Sequence, residues 1–232
     1  MRTRHLWLAG GAAWCLPGLA PHVRSLCAPL GISRTLRVGG EGWRDVALTF
    51  DDGPHAQGTP AVLAALAAHG ATATFFLVGE QVARQRALAA EIAAAGHSIA
   101  LHGYRHRNLM RVAPRALDDD LRRAHALIAE VTGRAPTVYR PPYGIFSPAG
   151  LAIARREGWE PMLWSRWGRD WRRFTTPENI AQRVTTGVVG GDVLLLHDAD
   201  HYSSHGSWKR TAQALPIVLA ELDRRGLRSI GL

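Results

Sequence analysis

A chain of 232 residues with 47% hydrophobic content is long enough for one sizeable domain, which excludes a disordered or fibrous protein. Its formal net charge is +9, and Lys209 is the only lysine among 28 basic residues; such a surface favours anionic neighbours such as membrane surfaces or acidic cell-envelope polymers. Nucleic acid ranks last among partners, and the only cysteines, Cys15 and Cys27, lack metal or redox spacing.

Met1 to His5 carries Arg2 and Arg4, and Leu6 to Ala20 is then free of charge. At about 15 residues against a usual ~20, and interrupted by Pro17, the run is short for a transmembrane helix and reads as a signal sequence or membrane anchor. The alternative is an N-terminal helix packed on the domain. Residues 1–44 are therefore expected to be this segment plus a basic connector, Pro21 to Gly42, with the catalytic domain at 45–232. Export, or membrane association through the N-terminal segment facing the cell envelope, follows as an expectation.

From Val46 onward strand-like and helix-like stretches alternate. The strand candidates are Val46 to Phe50, Ala73 to Val78, Ser98 to Leu101, Thr137 to Arg140, Pro161 to Trp164, Val193 to Leu196 and Arg228 to Ile230. Thr59-Pro60, Ser147-Pro148 and Thr176-Pro177 place an N-cap residue before a proline suited to the first helical turn, and Gly70, Gly96, Gly133, Gly158 and Gly226 mark helix ends. Leu117, Leu121, Ala124, Ile128 and Val131 recur at helical spacing and define a buried face. Asp118 and Asp119, four residues before Arg122 and Arg123, read as its solvated side. Pro216 is expected to bend the last helix. This alternation predicts an α/β fold with a parallel sheet, either open or closed into a barrel.

Several polar residues fall at strand ends. Asp51 and Asp52 follow the first strand, His102 the third, Arg140 ends the fourth, Asp170 lies in the loop after the fifth and His197 follows the sixth. Parallel strands share one C-terminal rim, where such residues converge. Adjacent carboxylates oppose each other's ionisation and call for a cation or a catalytic task, although a polar turn explains them equally well. His102 and His106, in H-G-Y-R-H, have a spacing that with Asp52 makes an open His2Asp zinc site, the plain alternative being two surface histidines. The Y-R-P-P-Y-G stretch, Tyr139 to Gly144, is a proline-stiffened strand exit whose fixed backbone N–H suits an oxyanion, the default alternative being a plain turn with an exposed Arg140.

Taken together, T-F-D-D-G-P, H-x-x-x-H, R-P-P-Y-G, D-W at Asp170-Trp171 and L-L-L-H-D at Leu194 to Asp198 resemble the polysaccharide deacetylase family, carbohydrate esterase family 4-like, with its NodB-homology catalytic domain. The resemblance covers Val46 to Leu232. It implies a distorted (β/α) barrel of about seven parallel strands holding a divalent metal, usually Zn2+, and acting on a carbohydrate polymer. By position, Asp51 resembles the family's general base, with Asp52, His102 and His106 as metal ligands and Arg140 orienting Asp51. Pro141, Tyr143, Trp171 and Leu195 resemble its substrate-binding set: the Tyr143 N–H faces the oxyanion, and Leu195 and Trp171 wall the acetyl pocket. His197 resembles the general acid.

Three departures stand out: Leu101 where the family often has Asn, Gly103 where it usually has Ser or Thr, and Trp167 at the first Asp of D-x-x-D-W. The last removes a carboxylate read as supporting the catalytic histidine, so Asp170, or failing that Asp198, is expected to take its place. His201 and His205 also have metal-like spacing, in a loop otherwise read as substrate-facing or solvated. The expected activity is removal of N-acetyl groups from an amino-sugar polymer with release of acetate. A small-molecule C–N amidohydrolase and a non-catalytic carbohydrate-binding relative are the alternatives.

Overall fold

The computed structural model describes residues 19–20, 23–37 and 43–232. The signal-like run therefore lies outside the described residues, save for Leu19 and Ala20. Among the described residues no helix is long and apolar enough to cross a membrane.

Strand β1 (Asp45–Asp51) is buried at every position, as its apolar sequence demands, and it pairs in parallel with three neighbours. The order is β5 (Glu160–Pro161), β4 (Val138–Tyr139), β3 (Ser98–Leu101), β2 (Thr74–Leu77), β1, β7 (Val193–His197), β6 (Arg166–Trp167). The short β8 (Arg228–Ile230) pairs with Asp45 to Ala47, leaving Thr49 to Asp51 to β2. The expected strands are thus found, with one addition, β6.

The order of the strands requires the sheet to curl. In a flat sheet, six spacings of about 4.8 Å would hold β5 and β6 about 29 Å apart, yet the five residue steps from Pro161 to Arg166 span at most about 18 Å. The two ends are brought together but do not pair. Residues of the N-terminal connector stitch the gap: Ser33 N–H donates to Pro161 O, Leu163 N–H to Ser33 O and Leu36 N–H to Gly191 O, each at 2.8 Å. Cys27 and Ile32 from the same segment are buried in the core. This explains why the expected strand Pro161 to Trp164 ends after Pro161. Beyond it the Leu163 N–H turns to the connector, while the carbonyls of Met162 and Leu163 turn inward to Arg140.

Helices α1 (Gly58–Ala68), α2 (Gly79–Arg84), α3 (Arg86–Ala94), α4 (Pro114–Thr132), α5 (Pro148–Glu157), α6 (Pro177–Thr185) and α7 (Ser207–Arg224) cover the sheet. Ser147 and Thr176 cap α5 and α6 by accepting from Gly150 N–H and Asn179 N–H, and Gly133 and Gly158 end α4 and α5 at φ 68° and 72°. Thr59 is not a cap. Helix α1 already begins at Gly58, and the buried Thr59 hydroxyl instead accepts from His55 N–H and donates to Asp198. On α4 the residues Leu117, Leu121, Ala124 and Ile128 are buried as their spacing predicts. Helix α7 runs through Pro216.

Candidate active site

The strand register assembles the site. Cα pairing sets Asp51 opposite His197 and Leu101 opposite Tyr139, the residue before Arg140, so residues far apart in sequence reach one rim. Asp52 takes φ 80°, a left-handed conformation that Asp tolerates better than most residues. The chain leaves the strand there, and the two adjacent carboxylates are given to different partners.

Asp51 Oδ1 accepts from Arg140 Nη1 at 2.6 Å. Arg140 is fully buried and also donates to Thr49 Oγ1 at 2.9 Å, Leu163 O at 2.9 Å and Met162 O at 3.4 Å. Its guanidinium lies 3.8 Å from the centre of the Phe76 ring. A buried charge held this way is both paired and hydrogen-bonded, the condition under which it is tolerated.

Asp52 Oδ1 lies 3.4 Å from His102 Nε2 and 3.2 Å from His106 Nε2, and one donor atom from each residue falls within 4.8 Å of the others. His102 Nδ1 donates to Arg140 O at 2.8 Å, since a carbonyl only accepts. Nε2 is thus the His102 ring nitrogen that faces Asp52 and would be free to bind a cation there. Asp52 Oδ1 is buried without a hydrogen-bond partner among the described residues. Burial alone would raise its pKa, but the imidazoles of His102 and His106 hold it well below the usual carboxylate range. An ionised carboxylate and two imidazoles, one already supported at its second nitrogen, fit a divalent metal.

The loop bearing His106 is held by Asp120, which accepts from Tyr104 N–H at 2.8 Å and Arg105 N–H at 3.3 Å and binds Arg107 at 2.6 Å. Gly103, at φ 90°, occupies a backbone region that Ser or Thr disfavours.

His197 ends β7. Its N–H donates to Asp170 Oδ2 at 2.7 Å and its Nδ1–H to Asp170 Oδ1 at 2.9 Å, while Thr211 Oγ1 donates to Asp170 Oδ2 at 2.8 Å. Burial, the largest single effect, works to lower the His197 pKa, but the charge and hydrogen bond of Asp170, joined by the charges of Asp52 and Asp51, together outweigh it and raise the value to about 10. Asp198 makes no such bond. It accepts from the Thr59 hydroxyl, and burial pushes it up to about 7.

These groups open into a cavity of about 270 Å³, walled by Leu195, Trp171, Trp164, Trp167 and Tyr143. Trp167 sits between Trp164 and Trp171, at centroid distances of 5.5 and 5.3 Å. The position read as a lost carboxylate is thus an aromatic part of the wall. Tyr143, at φ 60°, is edge-on to His106, and its N–H makes no hydrogen bond among the described residues. Pro141 is buried beside it but does not line the cavity. Sequence reasoning missed Tyr202, Asp120, Trp164 and Thr211. For Tyr202 the polar loop after His197 was a usable signal; Asp120 offered none.

His201 and His205 do not come together. His205 is fully in solvent, and His201 instead groups with His55 and Asp200. His55 Nδ1 accepts from Gly58 N–H at 2.8 Å and Gln57 N–H at 3.2 Å, which leaves the ring proton on Nε2, 3.2 Å from Asp200. That tautomer serves an ordinary hydrogen bond and opposes a metal at Nε2.

Comparison with known proteins agrees with this geometry. The polysaccharide deacetylase family model matches residues 40–162. A peptidoglycan-N-acetylglucosamine deacetylase of Bacillus cereus is 33% identical over 187 residues, covering 80% of this chain and 84% of that protein. A chitooligosaccharide deacetylase of Bradyrhizobium sp. is 36% identical over 192 residues, covering 80% and 87%. The crystal structure of a peptidoglycan N-acetylglucosamine deacetylase superposes with TM-score 0.81 at 29% identity, over 90% of this chain and 94% of that one. The chain belongs to the polysaccharide deacetylase family. It is a hydrolase with that family's curled parallel barrel and a candidate Asp-His-His metal site.

Proposed function

We propose that the protein removes N-acetyl groups from an amino-sugar polymer of the cell envelope, with zinc at Asp52, His102 and His106. The observation that carries this reading is the meeting, in one cavity, of an Asp-His-His triad, an Arg-held carboxylate and an Asp-held histidine. A divalent ion at the triad supplies Lewis-acid polarisation of the acetamide carbonyl and activation of water.

The chain's own residues do the rest. Asp51, oriented by Arg140 with its second oxygen free of that bond, takes the proton of the attacking water. The Tyr143 N–H donates to the oxyanion of the tetrahedral intermediate. His197, kept protonated by Asp170, gives a proton to the departing nitrogen as the C–N bond breaks. Acetate and a free amine result. Trp171, Leu195 and the neighbouring tryptophans exclude water from the acetyl methyl. The N-terminal uncharged run and the basic surface support export or attachment at the membrane as the setting.

Acetate release from chitooligosaccharides, peptidoglycan and acetylated xylan, each with and without zinc, tests the reading. Release from the amino-sugar polymers only, abolished by a chelator and restored by zinc, is the expected result. Full activity in protein shown by elemental analysis to be metal-free would overturn it. Cell fractionation tests the location separately: full-length protein free in the cytoplasm would contradict export.

A further inference from the structure

The two imidazoles of the triad are supported differently. His102 has a hydrogen bond from Nδ1 to Arg140 O, the kind of contact that sets ring rotation and tautomer in metal-binding histidines. His106 has no counterpart to it among the described residues, where its Nδ1 is buried without a partner. Aromatic packing holds the ring instead. The Tyr202 ring is stacked on it at 4.0 Å between centroids and 8° between planes, and Tyr143 meets it edge-on at 4.5 Å and 71°.

Of these two, Tyr202 is the anchored one. Its hydroxyl donates to Glu80 Oε1 at 2.7 Å and accepts from Gln81 Nε2 at 2.9 Å, whereas the Tyr143 side chain is largely exposed. Glu80 and Gln81 lie in the first turn of α2, and that turn also binds the His102 to His106 loop: Gly79 N–H donates to Gly103 O and Glu80 N–H to Tyr104 O, both at 2.9 Å. One helical turn therefore fixes both the backbone that carries His106 and the ring that covers it.

We propose that Tyr202 is a positioning residue for metal binding, doing for His106 by stacking what the Arg140 carbonyl does for His102. The proposal rests on Asp52, His102 and His106 being the metal triad. A fixed ring presents its lone pair without a search over rotamers. The electron-rich phenol face also favours an imidazole that has given electron density to a cation. An aliphatic side chain fills the space but supplies neither the flat platform nor this preference.

The test is zinc affinity of the full-length protein without substrate, measured by competition with a chromophoric chelator, together with the unfolding temperature of the metal-free form. Tyr202→Leu is expected to weaken zinc by about 10-fold or more with the metal-free unfolding temperature close to that of Tyr202→Phe, while Tyr202→Phe, which keeps the stacked ring but not its anchor, falls between Tyr202→Leu and wild type in affinity. Unchanged affinity in Tyr202→Leu overturns the proposal. So does equal weakening in Tyr202→Phe, which would assign the effect to the hydroxyl, and so does a loss of affinity matched by a loss of metal-free stability. Failure of wild type to bind zinc, or zinc binding undiminished in His106→Ala, overturns the triad reading itself and this proposal with it.

Discussion

Arg140 Nη1 meets Asp51 Oδ1 at 2.6 Å where almost no solvent reaches: the guanidinium is fully buried and Asp51 is 3% exposed. Breaking such a pair from one side leaves an uncompensated charge, at a cost of about 3–5 kcal/mol. Arg140→Leu is therefore expected to lose stability on that scale in denaturant unfolding. Arg140→Lys is expected to lose a large part of it too, because an ammonium lacks the planar fork that reaches Thr49, Leu163 and Asp51 together. An Arg140→Leu protein with a stability close to that of wild type would refute this account.

The same pairing separates the roles of the two adjacent aspartates. Asp51→Asn keeps the shape and is expected to bind one metal ion as wild type does, while kcat falls by about 10²-fold or more. Metal content by elemental analysis decides the matter: metal lost together with turnover would make Asp51 a ligand, Oδ2 being 3.9 Å from His102 Nε2.

In the proposed mechanism Asp170 sets the pH dependence. With the His197 value raised to about 10 by Asp170 and, to a smaller degree, Asp52 and Asp51 against the pull of burial, the proposed acid stays protonated through neutral pH. Removing the anion in Asp170→Asn is expected to move the alkaline limb of the rate profile to lower pH and reduce kcat. Asp198→Asn should leave that limb in place, since Asp198 is held by Thr59. Stability carries the same signature. A group raised from 6.5 to about 10 on folding contributes stability that is complete below pH 6.5 and is lost as pH rises to 10, and Asp170→Asn should flatten that slope. An alkaline limb unmoved in Asp170→Asn would exclude the carboxylate from tuning His197.

The tautomer of His55 predicts the metal count. One zinc per chain is expected at saturation, unchanged in His201→Ala and abolished in His102→Ala. A second equivalent that disappears with His201 would mean that His55 gives up the bonds it accepts from the N–H groups of Gln57 and Gly58 to become a ligand.

Much of the fold was legible because it is written in local periodicity. The apolar run of Val46 to Phe50 must be a buried strand, and Ser147-Pro148 and Thr176-Pro177 begin helices through contacts within one turn. Asp51, Asp52, His102, Arg140 and His197 were identifiable for a related reason: each stands at a strand end, and parallel strands deliver their ends to one rim. What the sequence by itself could not show depends on contacts between distant segments. The capture of His197 by Asp170 rather than Asp198 is decided by which carboxylate faces Nδ1, a matter of side-chain direction across 27 residues. Trp167 looked like a missing carboxylate until its neighbours Trp164 and Trp171 made it part of a wall. Asp120, next in sequence to two aspartates read as solvated, turns inward to hold the loop that carries His106, and Tyr202 reaches His106 from a distant loop. Local propensity acts over a few residues, whereas support of a ligand or an acid requires one group at a set distance and angle from another, and that is fixed only when the sheet curls.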